Sequence, residues 1–162
     1  MDTERPTPEN AENETLEGLF TRDHIAQVWL MYHQKAAPRG NDRIMLQVLT
    51  MHPEYYDAWD QATTGSRDEE IVIDGVNPYL HAYFHAVVEN QIETGDPPEV
   101  AETYKALMDA HMDLHEIIHR ISALLAEQIW AILAKDRPFD RKRYARDLAK
   151  LRNTVARSRR GS

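Results

Sequence analysis

Residues 109–120 read "DAHMDLHEIIHR", and their reading decides how the second half of the chain folds. From Pro98 or Glu99 to Lys135 a helical pattern runs on without a further Gly or Pro. Unbroken, it would make a rod of about 37 residues and about 55 Å at the rise of an α-helix. A compact chain of this length has a radius of gyration of roughly 15 Å, so such a rod is long for the globule. Asp113, Leu114, His115 and Glu116 form a capping-box pattern, an N-cap acceptor with Glu three residues on. The sequence therefore predicts a break or kink near 110–113.

The same stretch carries His111, His115 and His119, each one helical turn from the next and so on one helix face. Within it, His115-Glu116-Ile117-Ile118-His119 is the H-E-x-x-H pattern of zinc metalloproteases. Upstream, "PYLHAYFHAVVENQIE" places His81 and His85 one turn apart, and Glu89 continues their row. Eight histidines scattered at random would give roughly 0.4 H-x-x-x-H pairs, whereas this chain has three. The clustering calls for a physical reason, and metal binding supplies one: imidazoles from two neighbouring helices can share one cation.

His81, His85, His115 and His119 are thus the candidate metal ligands, with Glu89 as a carboxylate ligand and His111 as an alternate. Zinc, iron and manganese all suit such a donor set, and a Glu89 ligand favours iron or manganese. Glu116 is the candidate general base, taking a proton from metal-bound water. It is equally the Glu of a capping box, and Glu116 with His119 is also the Glu-x-x-His arrangement of ferritin-like di-iron proteins. Helix register links the break to the site. In a straight antiparallel hairpin His81 is level with His111, and His119 overshoots by roughly 12 Å. A turn near 110–113 is what lets His119 join the others. Each histidine also has the plainer reading of a hydrogen-bonded core residue. His24, His33 and His52 are read as playing no chemical part, and Tyr79, Tyr83, Phe84 and Trp130 as packing residues.

Elsewhere the pattern is helical throughout. Ile25, Val28, Trp29 and Tyr32 repeat at i, i+3, i+4, i+7, and "DRIMLQVLTMH" (42–52) repeats a similar spacing. Pro53 opens a short helical piece, and Asn77-Pro78 is a strong helix start, Asn as N-cap and Pro in the first turn. "TTGSRDEE" reads as a loop and "IVIDGVN" as a brief extended segment, too isolated for a sheet. The expected class is all-α: an irregular bundle of about five to six helices in one domain over 21–158, after a disordered acidic segment over 1–20.

Composition narrows the chemistry. The chain of 162 residues has no Cys, which excludes thiolate nucleophiles, Cys-ligated zinc and iron–sulfur clusters. It also fits a reducing cytoplasm. The acidic start has no apolar core of a signal peptide, and no uninterrupted apolar run approaches 18 residues, so no membrane partner is expected. The formal charge of -8 is unevenly spread. Residues 137–162 hold ten of the nineteen Lys and Arg against Asp140 and Asp147, a net +8, which leaves -16 on the remainder. That basic end reads first as a solvated helix face. The competing reading is a non-enzymatic interaction protein that docks on acidic protein or nucleic acid through residues 141–160. A homodimer is compatible with the sequence as well.

The chain resembles a bacterial family known only as domain of unknown function 1841, over roughly residues 20–150. The likeness rests on "HPEYYDAWD" and "GVNPYLHAYFHAVVENQIETGDPPEV", and on "DLHEIIHRISALLAEQIW" leading through Glu127 to Trp130. Members commonly place a carboxylate four residues beyond the second His of the H-E-x-x-H helix. Here that position is Ala123, and Ile118 stands where an acidic residue is common. The resemblance implies that the His pairs and the Asn-Pro start belong to a recurring design, and it carries no activity. On the residues themselves the favoured reading is a helical metal-binding protein, a hydrolase or an oxidoreductase. Zincin-like proteolysis is weaker, for want of a downstream ligand motif or a strand to present a peptide.

Overall fold

A computed structural model of the chain describes residues 22–64 and 71–161, so the expectation for residues 1–20 and most of the "TTGSRDEE" loop lie outside it. The protein is all-α. Among the described residues there are seven α-helices rather than five or six. The pieces beyond that count are ones the sequence marks: the short helix after Pro53, and the two helices that the break makes of the run from 98 to 135. In chain order they are α1 (Arg22–His33), α2 (Gly40–Thr50), α3 (Tyr56–Thr64), α4 (Pro78–Thr94), α5 (Pro98–Asp109), α6 (Leu114–Lys135) and α7 (Arg141–Arg160), with a single 3-10 turn, Pro53–Tyr55, leading into α3. The "IVIDGVN" segment is extended only as an isolated antiparallel bridge between Ile73 and Val76. The helices fall into two compact units, residues up to Tyr83 and residues from Phe84, with α4 running from one into the other.

The first unit has an aromatic core. Trp29 and Trp59 are essentially inaccessible, and Val28, Val48, Leu49 and Ala58 fill the space around them. Buried indoles need partners for their N–H groups. Trp29 donates to the Asp60 carboxylate at 2.7 Å and Trp59 to the Leu49 carbonyl at 3.2 Å. The start of α4 is fixed twice. Asn77 Oδ1 accepts from the backbone N–H of Tyr79 and of Leu80 (3.0 and 3.2 Å), and the Tyr79 hydroxyl donates to the Ala58 carbonyl at 2.8 Å.

The second unit has an aliphatic core of Val88, Val100, Leu107, Ile117, Ile118, Ile121, Leu125 and Leu148, closed by Tyr144. Four residues separate α5 from α6. His111 there takes the left-handed conformation (φ 59°), and Asp113 caps α6 by accepting from the N–H of His115 and Glu116 at 3.0 and 3.1 Å. The helix therefore stops and restarts where the capping box stands. Among the described residues α6 is the one helix long and apolar enough to cross a membrane. Arg120 and Glu127 interrupt it, and its Ile117–Ile121–Leu125 face lies in the core.

Helix α7 carries the basic end. Its Tyr144 and Leu148 are buried, and several of its arginines are bonded within the unit: Arg141 to Asp96 (2.8 Å), Arg152 to the Thr103 hydroxyl (2.6 Å) and Arg159 to the Asp109 carbonyl (3.3 Å). Burial pushes the Tyr144 phenol far above its ordinary range, and its hydroxyl donates to Gln91 at 3.1 Å.

Candidate metal centre

On α6 the imidazoles sit where the core face meets solvent. Ile117, Ile118 and Ile121 turn inward, while His115 and His119, one turn apart, are half-buried along the edge of that face. The Asp113 cap holds the first turn, so the N–H groups of His115 and its neighbour are satisfied and the two rings project from a fixed helix start. Opposite them, α4 contributes His85, which is 2% exposed. Three histidines from two helices thus converge in the second unit.

The ring centroids are 4.3 Å apart for His115 and His119, 4.6 Å for His85 and His119, and 5.3 Å for His85 and His115. The planes cross at 82°, 68° and 65°, so the rings are edge-on to one another rather than stacked. One nitrogen from each ring lies within 4.8 Å of the others. The closest approach is His115 Nε2 to His119 Nε2, at 2.9 Å.

That short distance has a limited set of explanations. Two imidazolium rings would bring N–H against N–H, so at least one ring presents a lone pair. Either one ring donates to the other, or both lone pairs face one cation. Two nitrogens at 2.0–2.1 Å from a metal lie about 3.0 Å apart at a right angle and about 3.4 Å apart at a tetrahedral angle. The observed spacing lies close to the first of these values.

The remaining sequence candidates fall as follows. His81 lies on the turn of α4 before His85, within the first unit, where its Nε2 is 3.1 Å from His52 Nε2. Glu89, one turn after His85, is half-buried, and its charge adds to burial in raising the Tyr104 phenol. His111 is exposed in the turn between α5 and α6, one residue into the break. Glu116 is exposed and pairs with Arg120 Nε at 2.7 Å across one turn. The cap of the predicted box is made by Asp113, which accepts from the Glu116 backbone N–H, while the Glu116 carboxylate turns to Arg120.

Two histidines set aside at the sequence level pair with carboxylates in the first unit: His24 with Asp42 at 2.7 Å and His33 with Asp60 at 3.5 Å. The third, His52, is fully buried. Its Nδ1 donates to the Val48 carbonyl at 2.8 Å, and its ring lies parallel to Tyr55 with centroids 5.9 Å apart. Nothing in "TMHPEYY" marks it, because its partner His81 is 29 residues away and no helical spacing links them.

Comparison with protein families gives a match over residues 20–150 to the family described as "domain of unknown function (DUF1841)". Neither the curated proteins nor the solved structures contain a match to the chain.

Proposed function

For a chain that belongs to the DUF1841 family, we propose metal binding as the function: His85, His115 and His119 hold one divalent first-row transition metal, zinc, iron or manganese. The observation that carries this reading is the convergence of three imidazoles from two helices, with Nε2 atoms of His115 and His119 only 2.9 Å apart. An all-nitrogen set suits zinc and iron, manganese asks for a carboxylate beside it, and the chain has no cysteine to compete. Three protein ligands leave further coordination positions for water or substrate, as in catalytic rather than closed structural sites. Glu89, one turn beyond His85 in sequence, is the candidate carboxylate ligand, and its participation would favour iron or manganese over zinc.

An open three-nitrogen site supports hydrolysis, by lowering the pKa of a bound water, or oxidation if the metal is iron or manganese. Its residues have separable tasks. His115 and His119 set the bite, and His85 closes the set from the other helix. Glu116 enters only if its ion pair with Arg120 opens, so the metal site does not depend on it. The test is metal analysis of protein purified without an affinity tag, beside a His115→Ala/His119→Ala variant of matched helicity. Wild type should retain close to one equivalent of metal and the variant less than a tenth of that. Equal content in both would overturn the reading.

A further inference from the structure

The first unit holds a second imidazole pair, which joins His81 of an H-x-x-x-H row to a histidine outside every such row. We propose that His52 and His81 form a metal-chelating pair, which presents two Nε2 atoms to a divalent first-row transition metal. This adds to the chain's metal ligands a residue that no motif marks.

Three features of the first unit support the assignment. The first is distance: the two Nε2 atoms are 3.1 Å apart, within the range that two nitrogens on one cation require. The second is the tautomer. His52 Nδ1 bonds to a carbonyl oxygen, which only accepts, so Nδ1 carries the proton and Nε2 carries the lone pair that faces His81. A ring held by a bond from Nδ1 to a main-chain carbonyl, which fixes the lone pair on Nε2, is the usual support for a metal-binding histidine.

The third feature is rigidity. His52 is 0% exposed and lies two residues beyond α2, and its backbone N–H donates to the Leu49 carbonyl. Tyr55 packs parallel to it at 9°, and the His81 ring stands at 83° to it with centroids 4.9 Å apart. His81 is anchored by the Asn77 cap four residues before it, at the start of α4, and it packs edge-on against Tyr55 as well. Both rings are thus fixed before any ligand arrives, which lowers the ordering cost of binding. Without metal, His81 Nε2–H donates to His52 Nε2. With metal, the His81 proton resides on Nδ1 instead, a change of tautomer with no net proton released.

Cobalt(II) is the probe, because its visible absorption reports on ligand number. Full-length protein without a tag is titrated as wild type, His52→Gln and His81→Gln, each checked for native helicity. The pair predicts that both substitutions weaken cobalt binding at least about tenfold and change the visible spectrum. Should the buried His52→Gln variant fail to fold, the half-buried His81→Gln variant carries the test. Folded variants that bind cobalt with wild-type affinity and spectrum would overturn the pair. His115→Ala/His119→Ala is titrated in parallel, and unchanged binding there would instead overturn the site of the second unit.

Discussion

The two units fix their histidines in different ways. In the second, His115 and His119 are brought together by helix spacing alone, and a cap two residues upstream of His115 sets where that helix begins. In the first, His52 and His81 meet only because an aromatic core folds a helix end against a helix start. The local pair is visible in sequence, whereas the non-local pair exists only after packing. The cores differ in the same sense. Indole and phenol groups of the first unit bond to carbonyls and a carboxylate, while the second is filled by branched aliphatic chains that interlock without polar partners.

If that contrast is right, the largest effect of a single substitution belongs to the aromatic core. Trp59→Ala removes a fully buried indole and leaves the Leu49 carbonyl without it, at a cost of about 3–5 kcal/mol. An Ile121→Val change in the aliphatic core should cost only about 0.5–1.5 kcal/mol. Urea unfolding followed by circular dichroism measures both. Comparable losses would erase the distinction between the cores.

Next in size is the cap. Asp113→Ala should destabilise α6 by about 1 kcal/mol, since two first-turn N–H groups lose their acceptor. It should also weaken metal retention through His115, while the same change at Asp140, which caps α7, should leave metal unaltered. Amide exchange of the first turn of α6, run beside metal analysis, separates the two consequences. Metal loss from the Asp140 variant would contradict a local origin.

The smallest effect concerns alkaline stability. Burial raises the Tyr144 phenol above its unfolded value near 10, so the folded state holds that proton more tightly than the unfolded chain. The stability so conferred is complete below about pH 10 and declines as pH rises beyond it. Tyr144→Phe should lose about 1 kcal/mol at neutral pH with its bond to Gln91, and should lose less between pH 8 and pH 10.5 than wild type. Urea midpoints at both pH values check this. Parallel pH dependence in the two proteins would contradict it.

Much of the fold could be read from the chain because its signals are local. The Asn77-Pro78 start, the capping residue Asp113 and the break after Asp109 all act within four residues, and the structure places each where the pattern implied. The total of five to six helices is too low, although the piece after Pro53 itself reads as helical; its nine residues of α-helix are a length that propensity alone does not stabilise. It forms because Trp59 and Ala58 are buried. His52 escaped for the related reason that its position depends on Val48, Tyr55 and His81 together. Glu116 illustrates the opposite case: the motif marks it, but its exposed carboxylate bonds to Arg120, which the motif does not contain.

The central claim is that the imidazoles of α4 and α6 surround a cation. Anomalous scattering from a crystal of zinc-loaded protein, collected at the zinc edge, tests it most directly. The expected result is a peak about 2.0–2.1 Å from a ring nitrogen of each of His85, His115 and His119. A fully loaded crystal with no peak near His115 and His119, their Nε2 atoms hydrogen-bonded to each other, would contradict it.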